Sequence, residues 1–226
     1  MFDLVAPHYD DFTRLFSFGM DAGWKRDLVR DALGHANDPR SVIDVACGTG
    51  DLAFAVARTR PLARVRGIDP AAEMLVRARV RAAAEPGIAA RVVFAEGTLA
   101  AIDAADASAD LITAGYAFRN AESLDGAVRE CARVLRPGGV LAVLDFYRPD
   151  FAPWRVALLA YLRAAGNVVG WWWHREPVAY GYIAASIDAH VSAAAFERMA
   201  DAAGFTTLTC RTHLGGGIAT HVLRRR

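Results

Sequence analysis

At 226 residues the chain is sized for one domain, or one domain with an elaborated cap. Apolar residues make up 54% and charged residues 23%, which excludes a disordered chain and leaves ample material for a buried core. A formal net charge of +1 argues against nucleic acid held through phosphate neutralisation.

Of 26 basic residues only Lys25 is a lysine, and the arginine and alanine surplus reads as coding bias. Cys47, Cys131 and Cys210 are odd in number and show no pair spacing, so a reducing cytoplasm is the expected setting. Met1-Phe2-Asp3-Leu4 lacks the basic and apolar blocks of a signal peptide. Val156 to Trp173 is the most apolar stretch, but Arg163, Gly166, Asn167 and Gly170 break it as a membrane span.

Residues 1–40 read as a helical leader. From there short β-branched runs alternate with helical patterns, the signature of a parallel sheet with crossover helices. Ser41 to Val45 is the first strand and Asp51 to Arg58 opens a helix. Arg64 to Asp69 is the second strand, followed by a helix that Pro70 opens and that runs to about Ala84. Arg91 to Ala95 and Asp110 to Ala114 are the third and fourth strands. Leu124 to Leu135 reads as a helix stopped by Pro137-Gly138-Gly139, and Val140 to Phe146 as the fifth strand. Residues 151–191 are aromatic and irregular in pattern and are expected to form a cap. Ala193 to Ala203 is a helix closed by Gly204, after which Phe205 to Thr212 and Ile218 to Leu223 form a hairpin-like pair.

The expected fold is α/β: a doubly wound, Rossmann-like sheet of parallel strands with an antiparallel C-terminal hairpin edge. A helical aromatic cap is inserted after the fifth strand. Residues 1–226 form one domain on this reading, divided into leader (1–40), cofactor-binding core (41–150), cap (151–191) and C-terminal helix with hairpin (192–226).

Gly48-Thr49-Gly50 sits where the first strand turns into the first core helix. Glycines there let backbone approach a ligand, and a helix N-terminus offers unpaired N–H groups. Asp69 ends the second strand, where a carboxylate accepts hydrogen bonds from both hydroxyls of a ribose. Gly48-x-Gly50-x-x-Ala53 also satisfies a dinucleotide fingerprint, and a merely tight turn is a further reading. Asp44 tilts the balance, because an acid in the strand can hold an ammonium group above the loop. S-adenosylmethionine carries such a group and a dinucleotide does not. Gly97-Thr98 follows the third strand, where a polar residue meets an adenine edge.

With these motifs in place the sequence resembles class I S-adenosylmethionine methyltransferases, and within them the UbiE-type C-methyltransferases of ubiquinone and menaquinone biosynthesis. The resemblance opens with Phe2-Asp3-x-x-Ala6-x-x-Tyr9-Asp10 and Ser17-Phe18-Gly19-x-x-x-x-Trp24-Lys25. It continues through Gly48-Thr49-Gly50-Asp51, Arg119-Asn120 and Leu135-Arg136-Pro137-Gly138-Gly139. Tyr180-x-Tyr182-Ile183-Ala184-x-Ser186-Ile187, Ala203-Gly204-Phe205 and Gly216-Gly217-x-x-x-x-His221 complete it.

The chain departs from the family pattern at several positions. Thr98-Leu99 stands where the family has Asn or Asp before Ala, and Gly115 where it has serine. Tyr116-Ala117-Phe118-Arg119-Asn120 replaces Phe-Gly-Leu-Arg-Asn, Gly181 replaces an arginine, and His190-Val191 replaces His-Pro.

The resemblance implies S-adenosylmethionine as cofactor, bound by Asp44, Gly48, Thr49, Gly50, Asp69, Gly97 and Thr98. It implies an apolar phenolic or quinol acceptor, prenylated in the family. Methylating a ring carbon requires that a neighbouring hydroxyl give up its proton. Arg119 suits the stabilisation of the resulting phenolate, and being permanently charged it does not take the proton itself. His190 is the leading candidate base and His8 the second. Asn120 is placed to orient the hydroxyl or a water, and Tyr9 to close over cofactor or acceptor. Arg119 pairing with a surface acid at a strand end, and His190 as a structural or solvated residue, are the plainer alternatives.

No metal is expected, since no His/Cys/carboxylate spacing suggests one. Trp171, Trp172 and Trp173 with Leu158, Leu159, Tyr161 and Leu162 form either an apolar funnel, a membrane-facing surface or a cap packed on the sheet. The expected partner is a small apolar aromatic substrate and not nucleic acid, with peripheral contact to the inner membrane and homo-oligomerisation left open. Competing readings are an N- or O-methyltransferase, a nicotinamide-dependent oxidoreductase and a non-catalytic subunit.

Overall fold

The computed structural model describes residues 19–174 and 178–226, and the side chains of all of these except 166–183. The elements are α1 (Asp21–His35), β1 (Ser41–Val45), α2 (Asp51–Thr59), β2 (Arg64–Asp69), α3 (Ala72–Ala83), α4 (Pro86–Ala89), β3 (Val92–Glu96) and β4 (Ala109–Gly115). There follow a 3₁₀ turn (Phe118–Asn120), α5 (Leu124–Val134), β5 (Leu135–Phe146), α6 (Ala152–His174), α7 (Val178–Ala189), α8 (Ala193–Ala202), β6 (Phe205–His213) and β7 (Ile218–Arg225).

Side chains alternate across a strand, so a strand apolar at consecutive positions must be covered on both faces. The parallel strands obey this. Val42, Val65, Leu111 and Val140 pack on one face with α1 and α2. Ile43, Ile68, Ile112 and Leu141 pack on the other with α5 and α8. Each such side chain contributes about 1.5–3 kcal/mol when removed from water. The seven strands run β3-β2-β1-β4-β5-β7-β6, with β1 to β5 parallel. β7 inserts antiparallel between β5 and β6, so the hairpin closes the sheet with β6 at the edge. β1 meets β2 on one side and β4 on the other, and the crevice above that reversal is where doubly wound sheets take ligands.

Several boundaries differ from the sequence reading. The fifth strand begins at Leu135, not Val140, and α5 ends one residue earlier. Leu135 pairs with Ala109 and Val140 with Leu111, so Arg136 to Gly139 bulge out of the ladder. Pro137-Gly138-Gly139 is therefore a break inside a strand. The third strand is shifted to Val92–Glu96. Residues 151–191, irregular as a pattern, form the long helices α6 and α7. Leu158, Leu159 and Leu162 bury one stripe of α6 while Phe151 and Val156 stay exposed, so apolar residues on both faces obscured the helical period.

The turn from β1 into α2 is tight. Gly50 caps α2 with φ of +91°, and a Cβ there would lie 2.9 Å from ring atoms of Phe54 and Phe94, which pack edge to face. Gly50→Ala combines a left-handed backbone with ring overlap, at a cost of roughly 2 kcal/mol. Thermal unfolding is expected to shift down by roughly 4–8 °C, and an unchanged Tm contradicts this reading of the turn.

Candidate active site

A cavity of about 460 Å³ opens at the C-terminal ends of β1, β2 and β4. Asp44 and Cys47 from β1 and its turn, Asp69 from β2, Thr98 and Leu99 after β3, and Tyr116 after β4 contribute to its wall. Two of these positions depart from ordinary backbone. Ala46 has φ of +50° and Tyr116 φ of +58°, and both line the cavity. Left-handed conformations at residues with a Cβ cost free energy and concentrate at functional sites.

Two acids anchor the site. Asp69 is buried, and its Oδ2 accepts from the Gly48 N–H and its Oδ1 from the Ala71 N–H, both at 2.8 Å. It thereby ties the glycine loop to the start of α3. Asp44 is 1% exposed; its Oδ1 accepts from the Thr113 hydroxyl at 2.6 Å and its Oδ2 from the Ala53 N–H at 3.1 Å. Burial lifts its pKa to about 7, outweighing those two hydrogen bonds, with Asp51 and Asp69 adding to the rise. An acid near half-protonation beside an open cavity is suited to a cationic partner.

A charged chain borders the same cavity. Lys25 of α1 reaches Asp21 at 2.7 Å and Asp51 at 2.9 Å. Burial opposes its charge, yet the two carboxylates hold the Lys25 pKa above its ordinary value. Burial likewise works against Asp51, while Lys25 and Arg81 keep its pKa low. Arg81 bridges Asp51 at 2.8 Å to the Thr49 hydroxyl and carbonyl at 2.9 Å, fixing the loop from α3. The Tyr116 hydroxyl donates to Asp21 at 2.6 Å.

Asp44, Gly48, Thr49, Asp69, Thr98 and Asn120 come together around this cavity. Gly50 and Gly97 do not line it, Gly50 capping α2 and the Gly97 N–H donating to the Asp69 carbonyl. Arg119 and His190 are not among the lining residues. The Arg119 side chain is 6% exposed, with its Nε 3.7 Å from Asp145 and its guanidinium 5.2 Å from the Phe146 ring. The acid pairing weighed for Arg119 is thus realised with a fully buried partner. Burial raises the Asp145 pKa to about 6 despite the Arg119 charge and its backbone hydrogen bonds. Asn120 links Arg119 to the cavity, accepting from its Nη1 at 3.4 Å.

His190 packs against Tyr147, and burial, with the Arg119 charge, lowers its pKa to about 4. That makes it a weak base in this state. Tyr9, His8 and the side chains of Tyr180, Tyr182 and Trp171 to Trp173 lie outside the described residues. The sequence reading passed over Lys25 and Tyr116 as cavity residues. Their signals were present: Lys25 is the chain's single lysine, and Tyr116 departs from the family's usual residue.

Over residues 1–225 the sequence matches the ubiE/COQ5 methyltransferase family. The chain belongs to this family. A demethylmenaquinone methyltransferase of Thermus thermophilus is 37% identical to it over 91% of each chain. The ubiquinone/menaquinone biosynthesis C-methyltransferase UbiE of Rubrivivax gelatinosus is 36% identical over 97% of this chain and 82% of its own. In fold the chain resembles the methyltransferase solved with the Haloferax volcanii Trm112 activator, with a TM-score of 0.68 and 18% identity over 99% and 97% of the two chains. The protein is an S-adenosylmethionine-dependent methyltransferase with a Rossmann-like α/β fold. Among the described residues no helix is long and apolar enough to cross a membrane.

An acid with pKa near 7 must lose its proton before it pairs with an ammonium group. Affinity for S-adenosylhomocysteine, whose amino group matches the cofactor's, is expected to be flat just above pH 7. Below it, affinity falls by up to about tenfold per pH unit. Calorimetric titration at several pH values checks this, with Asp44→Asn expected to remove the slope. A slope that survives in Asp44→Asn contradicts the assignment.

Proposed function

We propose that the enzyme methylates a ring carbon of a reduced, apolar hydroquinone. The observation that carries this reading is the adjacency of two cavities. Tyr116 lines the cofactor-sized cavity, and its ring lies 5.2 Å from that of Phe146. Phe146 is the wall of a second cavity of about 290 Å³ lined by Trp154, Leu158, Tyr161, Leu162 and Ile218. A polar ring placed beside Asn120 would direct an apolar substituent into that second space. The demethylmenaquinone methyltransferases among its relatives support the same acceptor class.

When bound, the cofactor supplies an electrophilic methyl group on a sulfonium. Asp44 receives the ammonium group and Asp69 the ribose hydroxyls. Gly48, Thr49 and Gly50 bring the backbone close, with Gly97 and Thr98 at the adenine end. Asn120 orients the acceptor hydroxyl, and Arg119, locked by Asp145, supplies positive potential through Asn120 as the hydroxyl proton leaves. The deprotonated ring would then offer its carbon to the methyl group that the bound cofactor would supply, the ring proton leaving to water and the oxygen regaining a proton. Positioning and water exclusion carry most of the rate.

His190, at its low pKa and outside the cavity, serves this reading as packing for Tyr147, and the hydroxyl proton passes to water. Exposed Tyr161, which lines the second cavity, with exposed Val156 of α6 and Phe151 just before it, supports peripheral contact with a membrane that dissolves such acceptors.

The test is turnover of demethylated naphthohydroquinones with and without an isoprenoid tail, with products located by mass spectrometry and NMR. The expected product carries one new methyl on a ring carbon, with a lower KM for the tailed acceptor. Arg119→Ala is expected to lower kcat roughly a hundredfold while leaving S-adenosylhomocysteine affinity unchanged. Methyl ethers as products, or undiminished kcat in Arg119→Ala, contradict the proposal.

A further inference from the structure

Away from the cavity, three side chains from three elements converge on one spot. Cys210 of β6 stands directly opposite His221 of β7 in the antiparallel ladder, so the two share a face of the sheet. On that face α8 places Glu197 against the pair, with the neighbouring Phe196 ring 5.2 Å from the His221 ring. The ligating atoms of Glu197, Cys210 and His221 lie within 4.8 Å of one another. His221 Nε2 is 3.7 Å from Glu197 Oε1. None of the three lines the cavity.

His221 points to what belongs there. It is fully buried, and its Nδ1 lies 3.2 Å from the Tyr147 hydroxyl. Its Nε2 has no hydrogen-bond partner although no solvent reaches it. A buried polar atom left without a partner is costly, and such an atom aimed at a thiol and a carboxylate calls for something between them. The tautomer that donates Nδ1–H to Tyr147 leaves the Nε2 lone pair facing that pair. A hydrogen bond of this kind behind the ring orients most metal-bound histidines. Burial lowers the His221 pKa to about 4, so the ring is neutral and free to ligate.

We propose that Glu197, Cys210 and His221 form a Zn²⁺ site, with the fourth position taken by water. Sulfur, imidazole nitrogen and carboxylate oxygen are the donors this ion takes in tetrahedral sites. One thiolate and one carboxylate also cancel its charge. Binding breaks the Cys210 S–H bond, sulfur keeps the electron pair to form the Zn–S bond, and the proton leaves to solvent. Without the ion, burial and Glu197 push the thiol pKa up to about 12. Tetrahedral bonds of about 2.0–2.3 Å place donors roughly 3.3–3.8 Å apart, so the cluster contracts by about 1 Å, chiefly by rotation of the half-exposed Glu197. The ion would clamp α8 to the edge strand β6. Because the three residues lie 11 and 13 positions apart, no metal-binding spacing exists in the sequence.

The experiment uses the full chain without a polyhistidine tag. Zn²⁺ is titrated in competition with a chromophoric chelator, and Co²⁺ is added separately while the near-ultraviolet spectrum is recorded. The expected result is one equivalent bound, a thiolate-to-cobalt charge-transfer band, and a higher Tm with Zn²⁺. Cys210→Ser is expected to abolish the band, although Cys47 and Cys131 remain. Glu197→Gln, at a half-exposed position that tolerates change, is expected to weaken Zn²⁺ binding roughly tenfold or more. Absence of stoichiometric binding, a band that survives Cys210→Ser, or unchanged affinity in Glu197→Gln overturns the proposal.

Discussion

The site depends on two carboxylates held out of water at the ends of neighbouring strands. Asp44 and Asp69 are each less than 10% exposed. Backbone N–H groups fix the direction of both, and at Asp44 the Thr113 hydroxyl adds to them. Burying a carboxylate in this way is costly unless something compensates. The sheet imposes the arrangement. Thr113 is the register partner of Asp44 across β1 and β4, and Asp69 reaches back to the loop that β1 feeds. Loosening Asp69 would release the glycine loop, and loosening Asp44 the first turn of α2.

The polar rim extends that constraint outward. Lys25, Asp21, Asp51, Arg81 and Thr49 form one linked chain from α1 through the loop to α3. Opposite signs alternate along it, so desolvation of each charge is offset by its neighbours. The left-handed Tyr116 is held between its N–H, which donates to Leu144 at 2.7 Å, and its hydroxyl on Asp21. The strained residue is thus over-determined by β5 on one side and α1 on the other.

Much of this was legible in the sequence, and the reasons are local. The first two strands were bounded correctly because Ser41 to Val45 and Arg64 to Asp69 are short runs between clear breaks. The glycine loop and its two acids follow from spacing alone. The bulged start of β5 was hidden because Pro137-Gly138-Gly139 has the same turn chemistry inside a ladder as at the end of a helix. Arg119 and Asn120 were read as one functional pair. In a 3₁₀ turn successive side chains point about 120° apart. Asn120 therefore meets the cavity while Arg119 turns back to Asp145. Contacts among Glu197, Cys210 and His221 arise only from tertiary folding, which no short-range pattern encodes.

A crystal structure of the complex with S-adenosylhomocysteine tests the central claim most directly. The account predicts the ribose hydroxyls on the Asp69 carboxylate and the amino group within hydrogen-bonding reach of Asp44. A nucleoside bound in this cleft without touching either acid would contradict it.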